Sequence, residues 1–370
     1  MNTLLVMALA IPFMGTASTP KESTGKRVAM LISSYGTQVP ELSYDLEELA
    51  QAYLVLTDNG IALDIVSPAG GAVPVKTNKD DLPYIQRFKG QTPALRQLAS
   101  TIAAKDVDRD AYDAIFIVGG SGAMMDLPTD PGVQQLLTHF VARGRSIAAV
   151  CHGPAALVDI KTPDGSYLVT GKRVCSFTNL EEKALSAENL ANFPFFIEDK
   201  MRERQAFYSA SAPLLPHIAV DGNLITAQNP GSVARAAEAL VIKLGLPLKP
   251  RVLFRDEATM ALIARARVSG PVLIDLALST APDAYDLNYL ALYAYYSYRL
   301  AQNDVDRRTE LGIMETVVRH FSHPMLLDRL VRTQQEQGFD KKASATLALL
   351  AKKYPDHDGL PELKKLLTPE

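Results

Sequence analysis

Residues 146–154 read Ser146-Ile147-Ala148-Ala149-Val150-Cys151-His152-Gly153-Pro154. The short apolar run before the cysteine predicts a buried strand, and the Gly-Pro pair followed by a further apolar segment predicts a sharp turn into a helix. Such a turn projects the side chain at its apex from the carboxyl edge of a parallel sheet, where open α/β folds bind their ligands. We therefore predict that Cys151 is the catalytic nucleophile of an α/β enzyme domain.

The segments around this run alternate short β-branched stretches with longer helical ones. Strands are predicted at 27–33, 61–67, 114–118, 146–150 and 173–177, helices at 42–59, 93–104, 131–143, 180–189 and 232–244, and a hairpin at 217–228. Residues 70–90 lack periodicity and are expected to form a long surface loop. This alternation is typical of a doubly wound, mostly parallel sheet with helices on both faces.

A second domain is predicted beyond residue 250. The run Leu246-Pro247-Leu248-Lys249-Pro250 has the proline density of a domain boundary, and helical periodicity repeats through 287–300, 310–320 and 342–353. We therefore divide the chain into an α/β domain at 27–246 and an all-α domain at 251–370. The helix pairs resemble tetratricopeptide stacking without a fixed period, so the helices either bind a protein partner or pack on the first domain or a second subunit.

The N-terminus has the features of a signal peptide over residues 1–17. Residues 4–14 are almost entirely apolar, too few to span a bilayer, and Gly15 and Ala17 supply small residues near a cleavage site. This predicts a periplasmic or secreted protein with no membrane association after processing. Met1-Asn2 carries no basic residue, which leaves a cytoplasmic protein with an N-terminal extension as the alternative.

Composition narrows the classes of partner. The chain has 38 basic and 41 acidic residues and a formal net charge of −3, so it lacks the basic surplus that neutralises a nucleic-acid backbone. Cys151 and Cys175 are the only cysteines, too few for a disulfide framework and without the spacing of a zinc site. We expect no nucleic-acid partner, no metal and no cofactor, with Cys175 as buried structure.

The segment Ala149–Leu157 resembles the nucleophile elbow of the ThiJ/PfpI superfamily, within the class I glutamine amidotransferase-like fold. The branch that it most resembles contains glyoxalase III and its heat-shock chaperone relatives. Further segments follow in the order of that branch: Tyr44–Leu49, Val66–Gly71, Gly119–Gly122, Gly171–Val174, Phe177–Asn179 and Gln228–Pro230. The resemblance covers roughly residues 27–246 and implies a flavodoxin-like sheet.

The resemblance also implies roles for individual residues. Glu48, with Glu47 as its competitor, would share a proton with the sulfur of Cys151. His152 would partner the cysteine, and an acid just after the Phe-Thr-Asn segment would orient its imidazole: Glu182, with Glu181 second. For Glu47 and Glu181 we expect solvated helix faces.

The glycine segment would bind the substrate and the oxyanion. Gly119, Gly120 and Ser121 match this part of the family's site, and the backbone N–H groups of Gly120 and His152 would form the oxyanion hole. Two departures bear on specificity. Ser121 stands where the glyoxalase branch commonly has histidine, and Tyr35–Ser43 lacks that branch's Lys-Thr-Gly signature.

The activity implied by the resemblance is conversion of 2-oxoaldehydes such as methylglyoxal into 2-hydroxy acids, without glutathione or metal. The partner would be a small aldehyde, and the protein would be a homodimer. Two alternatives use the same domain: a stress chaperone or protein deglycase whose helical domain supplies the working surface, and a cysteine-dependent peptidase or amidase.

Overall fold

The computed structural model describes residues 23–74 and 79–367. Its strands are β1 (Arg27–Leu31), β2 (Ala62–Ser67), β3 (Ile102–Ala103), β4 (Ala114–Ile117), β5 (Ser146–Val150), β6 (Arg173–Val174), β7 (Phe207–Tyr208), β8 (Ile218–Asp221) and β9 (Leu224–Ala227). Seven of them form one sheet in the order β3-β2-β1-β4-β5-β9-β8. All neighbours in this sheet pair in parallel except β8 and β9, which form the predicted hairpin. The predicted mostly parallel sheet is confirmed.

Helices cover both faces of this sheet. They are α1 (Leu46–Asp58), α2 (Pro83–Lys89), α3 (Thr92–Ala99), α4 (Pro131–Ala142), α5 (Asn179–Leu185), α6 (Ile197–Glu203) and α7 (Val233–Lys243). Alternate residues of β1 enter different cores, with Val28 and Met30 facing α1 and α7, and Ala29 and Leu31 facing α4. Every residue of β4 and β5 is buried, as their continuous apolar sequences require in a doubly covered sheet.

The carboxyl ends of β1, β4 and β5 meet at one edge of the sheet. The chain runs outward from β1 to β2 and β3 and then returns to β4 on the other side, so a crevice opens where the strand order reverses. Gly119 and Gly120 follow β4, and Cys151 follows β5. The first turn of α1 reaches the same edge because the Asp45 N–H donates to the Gly119 carbonyl at 3.1 Å.

The structure differs from the predicted elements in several places. The helix predicted at 93–104 ends at Ala99, and Ile102–Ala103 form strand β3. Within the predicted loop at 70–90, α2 forms because Pro83 starts a helix whose Tyr84 and Phe88 pack on α1. The predicted strand at 173–177 shortens to β6, which pairs with β7 outside the main sheet. After Cys151 the chain makes a 3₁₀ segment at Gly153–Leu157, where Gly153 lies against the Ile117 backbone.

The C-terminal region is helical, as predicted. Its helices are α8 (Arg255–Ser269), α9 (Val272–Thr280), α10 (Leu287–Leu300), α11 (Asp304–His320), α12 (Pro324–Glu336), α13 (Asp340–Lys353) and α14 (Leu360–Leu366). They pack as the pairs α8/α9, α10/α11 and α12/α13 around apolar cores of their own. The pairs begin at residues 255, 287 and 324, so they do not recur at a fixed period.

The helical region packs against the α/β region beside the crevice. Asp256 of α8 accepts hydrogen bonds from Gln51 Nε2 at 2.6 Å and from the Tyr84 hydroxyl at 3.3 Å, so α8 contacts both α1 and α2. In addition, α8 lies on the turn at Pro230–Ser232, and α10 contacts α5. Because that turn and α5 border the carboxyl edge of the sheet, the helical region forms one side of the crevice.

Two further observations concern the predicted signal peptide and membrane-spanning helices. The predicted signal peptide at 1–17 lies outside the described residues. Across residues 23–74 and 79–367, no helix is both long and apolar enough to cross a membrane.

Candidate active site

Cys151 lies at the apex of the turn that leaves β5. Its φ angle is 59°, in the left-handed region that non-glycine residues rarely adopt. Its N–H donates to the Ala227 carbonyl and its own carbonyl accepts from the Phe177 N–H, both at 2.9 Å. These bonds hold a conformation that costs on the order of 1–3 kcal/mol and is typical of nucleophile elbows. The cysteine is 4% exposed, so only a small molecule that enters the crevice reaches the sulfur.

His152 and Glu182 form a chain of contacts that begins at the sulfur. Nδ1 of His152 lies 3.3 Å from the Cys151 sulfur, and Nε2 lies 3.0 Å from Oε2 of Glu182. An ionised carboxylate only accepts, so Nε2 carries the hydrogen in this pair and Nδ1 faces the thiol as a proton acceptor. The ring of Phe177 packs on the imidazole with 4.6 Å between ring centres. The structure thus brings together the predicted cysteine, histidine and orienting acid.

Glu48 approaches the thiol from the opposite side. It is fully buried in the first turn of α1, where its Oε2 accepts from the Gly119 N–H at 2.8 Å and its carboxyl interacts with the thiol. Burial, followed by the negative charge of Asp45, raises the pKa of Glu48 well above its usual range. Burial and the charge of Glu48 likewise raise the pKa of Cys151. Because each ionisation opposes the other, the two groups do not ionise together, and a thiolate forms when the sulfur passes its proton to Glu48 or to Nδ1 of His152.

Gly119 and Gly120 allow this close approach. A β-carbon on Gly119 would lie 2.6 Å from Oε2 of Glu48 and 2.7 Å from Cβ of Cys151. Gly120 has a φ of +92°, and its β-carbon would lie 2.5 Å from the backbone nitrogen of Asp45. The Gly119 N–H binds Glu48, so this residue supports the acid instead of the predicted oxyanion. The N–H groups of Gly120 and His152 make no backbone hydrogen bond within the described chain and stay open for an oxyanion.

A cavity of about 340 Å³ opens over the sulfur. Besides Cys151 and His152, its wall includes Ser121, Phe177 and Leu185. At Ser121 the wall carries a hydroxymethyl group where the glyoxalase branch has an imidazole, which leaves more room and removes one titrating group. The cavity therefore places the thiol of Cys151, the imidazole of His152 and the carboxyl of Asp45 around a space of small-molecule size.

Asp45 is a site residue that the sequence prediction missed. Its side chain caps α1 by accepting from the Glu48 N–H at 3.0 Å, and it lines the cavity. Burial, followed by the negative charge of Glu47, raises the pKa of Asp45 to about 7. The Asp-x-x-Glu spacing at the start of the helix is the signal that marks this residue, because it is typical of an N-cap.

Replacing Asp45 by asparagine is expected to make Cys151 react at lower pH. Asparagine keeps the cap, whereas the lost negative charge removes one cause of the raised pKa of the thiol, so the thiolate forms more readily. The rate of Cys151 alkylation by iodoacetamide, measured from pH 5 to 9, checks this. Asp58→Asn, at the far end of α1, is the matched control. An unchanged pH profile in Asp45→Asn would rule out this coupling.

The same substitution changes how stability depends on pH. The folded-state pKa of Asp45 lies above its ordinary value of 3.8, so the carboxyl favours folding while protonated. That contribution is lost as the pH rises from about 4 to about 7. Between about pH 4 and pH 7, the free energy of unfolding should therefore fall less in Asp45→Asn than in the unsubstituted protein.

The expectation of solvated faces for Glu47 and Glu181 is wrong. Glu47 is 9% exposed and forms an ion pair with Lys79 at 3.6 Å. Glu181 is fully buried, and its oxygens accept from five groups: the Thr178 N–H and hydroxyl, the Leu214 N–H, and the amides of Gln228 and Asn229. Glu181 therefore fixes the segments that flank the crevice, while the neighbouring Glu182 contacts the histidine.

Replacing Glu181 by glutamine is expected to lower the free energy of unfolding by about 3 kcal/mol, because an amide NH₂ would face groups that are themselves donors. Chemical denaturation at pH 7 measures this loss. Glu188→Gln, on the exposed side of the same segment, should change stability by less than ~0.5 kcal/mol. Equal stability of the two variants would show that the buried network does not hold the fold.

The remaining titratable groups lie away from this chemistry. Cys175 is fully buried, as predicted, and burial raises its pKa to about 12 while it contacts Thr226. Among the described residues, no group of three or more His, Cys, Asp or Glu side chains is placed to hold a metal ion. The reactive groups described above are thus concentrated around Cys151.

Comparison with known proteins gives the following similarities. A family model described as the DJ-1/PfpI family matches residues 26–243, which ends before the helical region. The chain is 29% identical over 205 residues to a human "Glutamine amidotransferase-like class 1 domain-containing protein 1", covering 53% of this chain and 88% of that protein. It is 28% identical over 236 residues to "Glutathione-independent glyoxalase hsp3101" of Schizosaccharomyces pombe, covering 59% and 96%.

Among solved structures, the chain is similar to Rapid Encystment Protein 24 KDa of Francisella tularensis. The two share 30% sequence identity with a TM-score of 0.53, and the match covers 59% of this chain and 99% of that one. The similarity therefore extends over nearly all of that protein and leaves two fifths of this chain, including the helical region, without a counterpart in it.

Proposed function

The chain belongs to the DJ-1/PfpI family, and from this premise we propose that it converts small 2-oxoaldehydes into 2-hydroxy acids, with Cys151 as nucleophile and without glutathione. Methylglyoxal is the simplest such substrate. The relative from Schizosaccharomyces pombe, which matches over nearly its whole length, is named for a glyoxalase activity of this kind.

The observation that carries the proposal is that two separate proton-transfer groups contact one sulfur. Glu48 approaches Cys151 from α1, while His152, whose Nε2 binds Glu182, has its Nδ1 3.3 Å from the sulfur. Conversion of a 2-oxoaldehyde into a 2-hydroxy acid moves a proton between adjacent carbons, so it needs groups that both remove and return a proton. A simple acyl transfer needs only one such base.

The reaction would begin with addition of the Cys151 thiolate to the aldehyde carbon C1. A carbon–sulfur bond forms, and the resulting oxyanion, facing the N–H groups of Gly120 and His152, accepts a proton to give a hemithioacetal. In this step the protein sulfur takes the part that the glutathione thiol plays in glutathione-dependent conversion.

The proton on C1 would then pass to C2 through an enediol. Glu48 and His152 remove it from C1 and return one to C2, which oxidises C1 to a thioester and reduces C2 to an alcohol without an external electron acceptor. Water attacks the thioester carbonyl, the carbon–sulfur bond breaks, and the thiolate is regenerated. The net change is addition of one water molecule to the 2-oxoaldehyde.

Proton NMR of methylglyoxal with the purified protein in D₂O, without glutathione and with EDTA, tests the proposal. We expect lactate with deuterium at C2, because a proton held on Glu48 or His152 exchanges with solvent before it returns. Lactate carrying only protium at C2 would indicate a direct hydride shift and would overturn the roles of these two residues. Absence of lactate would overturn the proposed function, and hydrolysis of a peptide or glycated peptide instead would favour the peptidase or deglycase alternatives.

A further inference from the structure

A second cavity adjoins the one over Cys151. It has a volume of about 430 Å³, and its apolar wall comes from both regions of the chain: Leu82 and Leu214 from the α/β region, and Met260 and Leu292 from α8 and α10. Met260 and Leu214 are nearly fully buried, whereas Leu292 is 42% exposed and lies at the rim. The helical region thus supplies part of this apolar surface.

The two cavities share part of their lining. Phe177, Leu185 and Pro230 line both of them, so these three side chains form a shared boundary. Phe177 also packs on the imidazole of His152. A group attached to a carbon that is bonded to the Cys151 sulfur therefore has a short path across Phe177 into the second cavity.

Several polar side chains of the second cavity already have partners within the protein. Lys79 contacts the Tyr289 hydroxyl at 3.2 Å and Glu47 at 3.6 Å, and Asp286 caps α10. Oδ2 of Asp256 accepts from two side chains, and Oδ1, which has no partner among the described residues, is closed to solvent. The surface left for a ligand is therefore mainly apolar.

From this shared lining and the apolar wall we propose that the second cavity binds the apolar substituent of the substrate, so that the preferred substrates are 2-oxoaldehydes with an alkyl or aryl group larger than methyl. The inference rests on the proposed function for its chemistry. At roughly 30 Å³ for a water-sized group, the cavity has room for a chain of six carbons. Each methylene that is fully buried raises kcat/KM by roughly fourfold.

The experiment compares kcat/KM for methylglyoxal and hexylglyoxal. We expect the hexyl compound to be favoured at least tenfold by the wild-type protein. Two rim variants, Leu292→Trp and Asn288→Trp, fill the cavity from positions that are exposed enough to accept tryptophan, and both should lower this ratio at least threefold. Leu276→Trp, on the exposed face of α9 outside the cavity, is the matched control and should leave the ratio unchanged.

A binding assay separates the cavity from the chemistry. Calorimetry on the Cys151→Ala variant compares the binding of 2-hydroxyoctanoate with that of lactate, and we expect the longer acid to bind more tightly. In the double variant Cys151→Ala/Leu292→Trp, the longer acid should lose this advantage. If neither aldehyde is converted but this preference holds, the proposed function fails and the cavity assignment stands. If methylglyoxal is converted but neither the kinetic nor the binding assay favours the longer compound, the cavity assignment fails and the proposed function stands. The same conclusion follows if Leu276→Trp lowers the kcat/KM ratio as much as the two rim variants do.

Discussion

Replacing Cys151 by alanine is expected to lower kcat/KM for methylglyoxal by at least roughly a thousandfold, because it removes the one thiol among the described residues that line the cavity. The fold should persist. The side chain is small, and the turn is held by backbone bonds to Ala227 and Phe177 that do not involve the sulfur. Lactate formation, followed with and without the substitution, measures the loss.

Cys175→Ala is the matched control for this variant. It makes the same chemical change at a cysteine that is fully buried beside Thr226 and lies outside the cavity. We expect this variant to convert methylglyoxal at a rate close to that of the unsubstituted protein. If Cys151→Ala kept a tenth or more of the original activity, the sulfur would not be the nucleophile.

Replacing Glu48 by glutamine is expected to lower kcat by roughly 10²- to 10⁴-fold, since it removes a positioned acid and base. Glutamine still offers a carbonyl oxygen to the Gly119 N–H, so the bond measured at 2.8 Å for the carboxylate can be kept. An amide cannot pass a proton to the thiolate or to the substrate. The loss should therefore appear in kcat more than in KM.

Two further measurements distinguish this role of Glu48 from a merely structural one. The pH profile of Cys151 alkylation should change in Glu48→Gln, because the shared proton is gone, and the unfolding midpoint should change little. Glu203→Gln, a fully exposed carboxylate on α6, should affect neither quantity. If kcat of Glu48→Gln stayed within threefold of the value for the unsubstituted protein, a group other than Glu48 would carry out the proton transfer.

Sequence alone predicted the elbow because its determinants are local. Four of the five residues of β5 are apolar, Gly153 and Pro154 enforce the turn, and His152 is adjacent to the cysteine in the chain. The mostly parallel sheet also follows from local signals, since short apolar strands alternate with amphipathic helices. Resemblance to a family favoured Glu48 over its neighbour Glu47 and Glu182 over its neighbour Glu181 as site residues. In the structure, Glu48 lies next to the cysteine and Glu182 next to the histidine.

The remaining features depend on contacts that are distant in the chain. The burial of Glu181 requires amide donors from Gln228 and Asn229, more than forty residues away, so its charge alone indicated a solvated face. The burial of Asp256 likewise depends on Gln51, 205 residues earlier. The adjoining cavity exists only because α8 and α10 pack beside Phe177, which no pattern within either region indicates.

Alkylation of the folded protein by iodoacetamide at pH 7, with the modified sites located by mass spectrometry, tests most directly whether Cys151 is the reactive group of this protein. The two cysteines are compared in one sample. We predict that Cys151 reacts at least ~100-fold faster than Cys175, because its sulfur faces the cavity and has Nδ1 of His152 and the carboxyl of Glu48 beside it to take its proton, whereas Cys175 is fully buried outside that cavity. Equal rates at the two positions, or faster reaction at Cys175, would contradict this account.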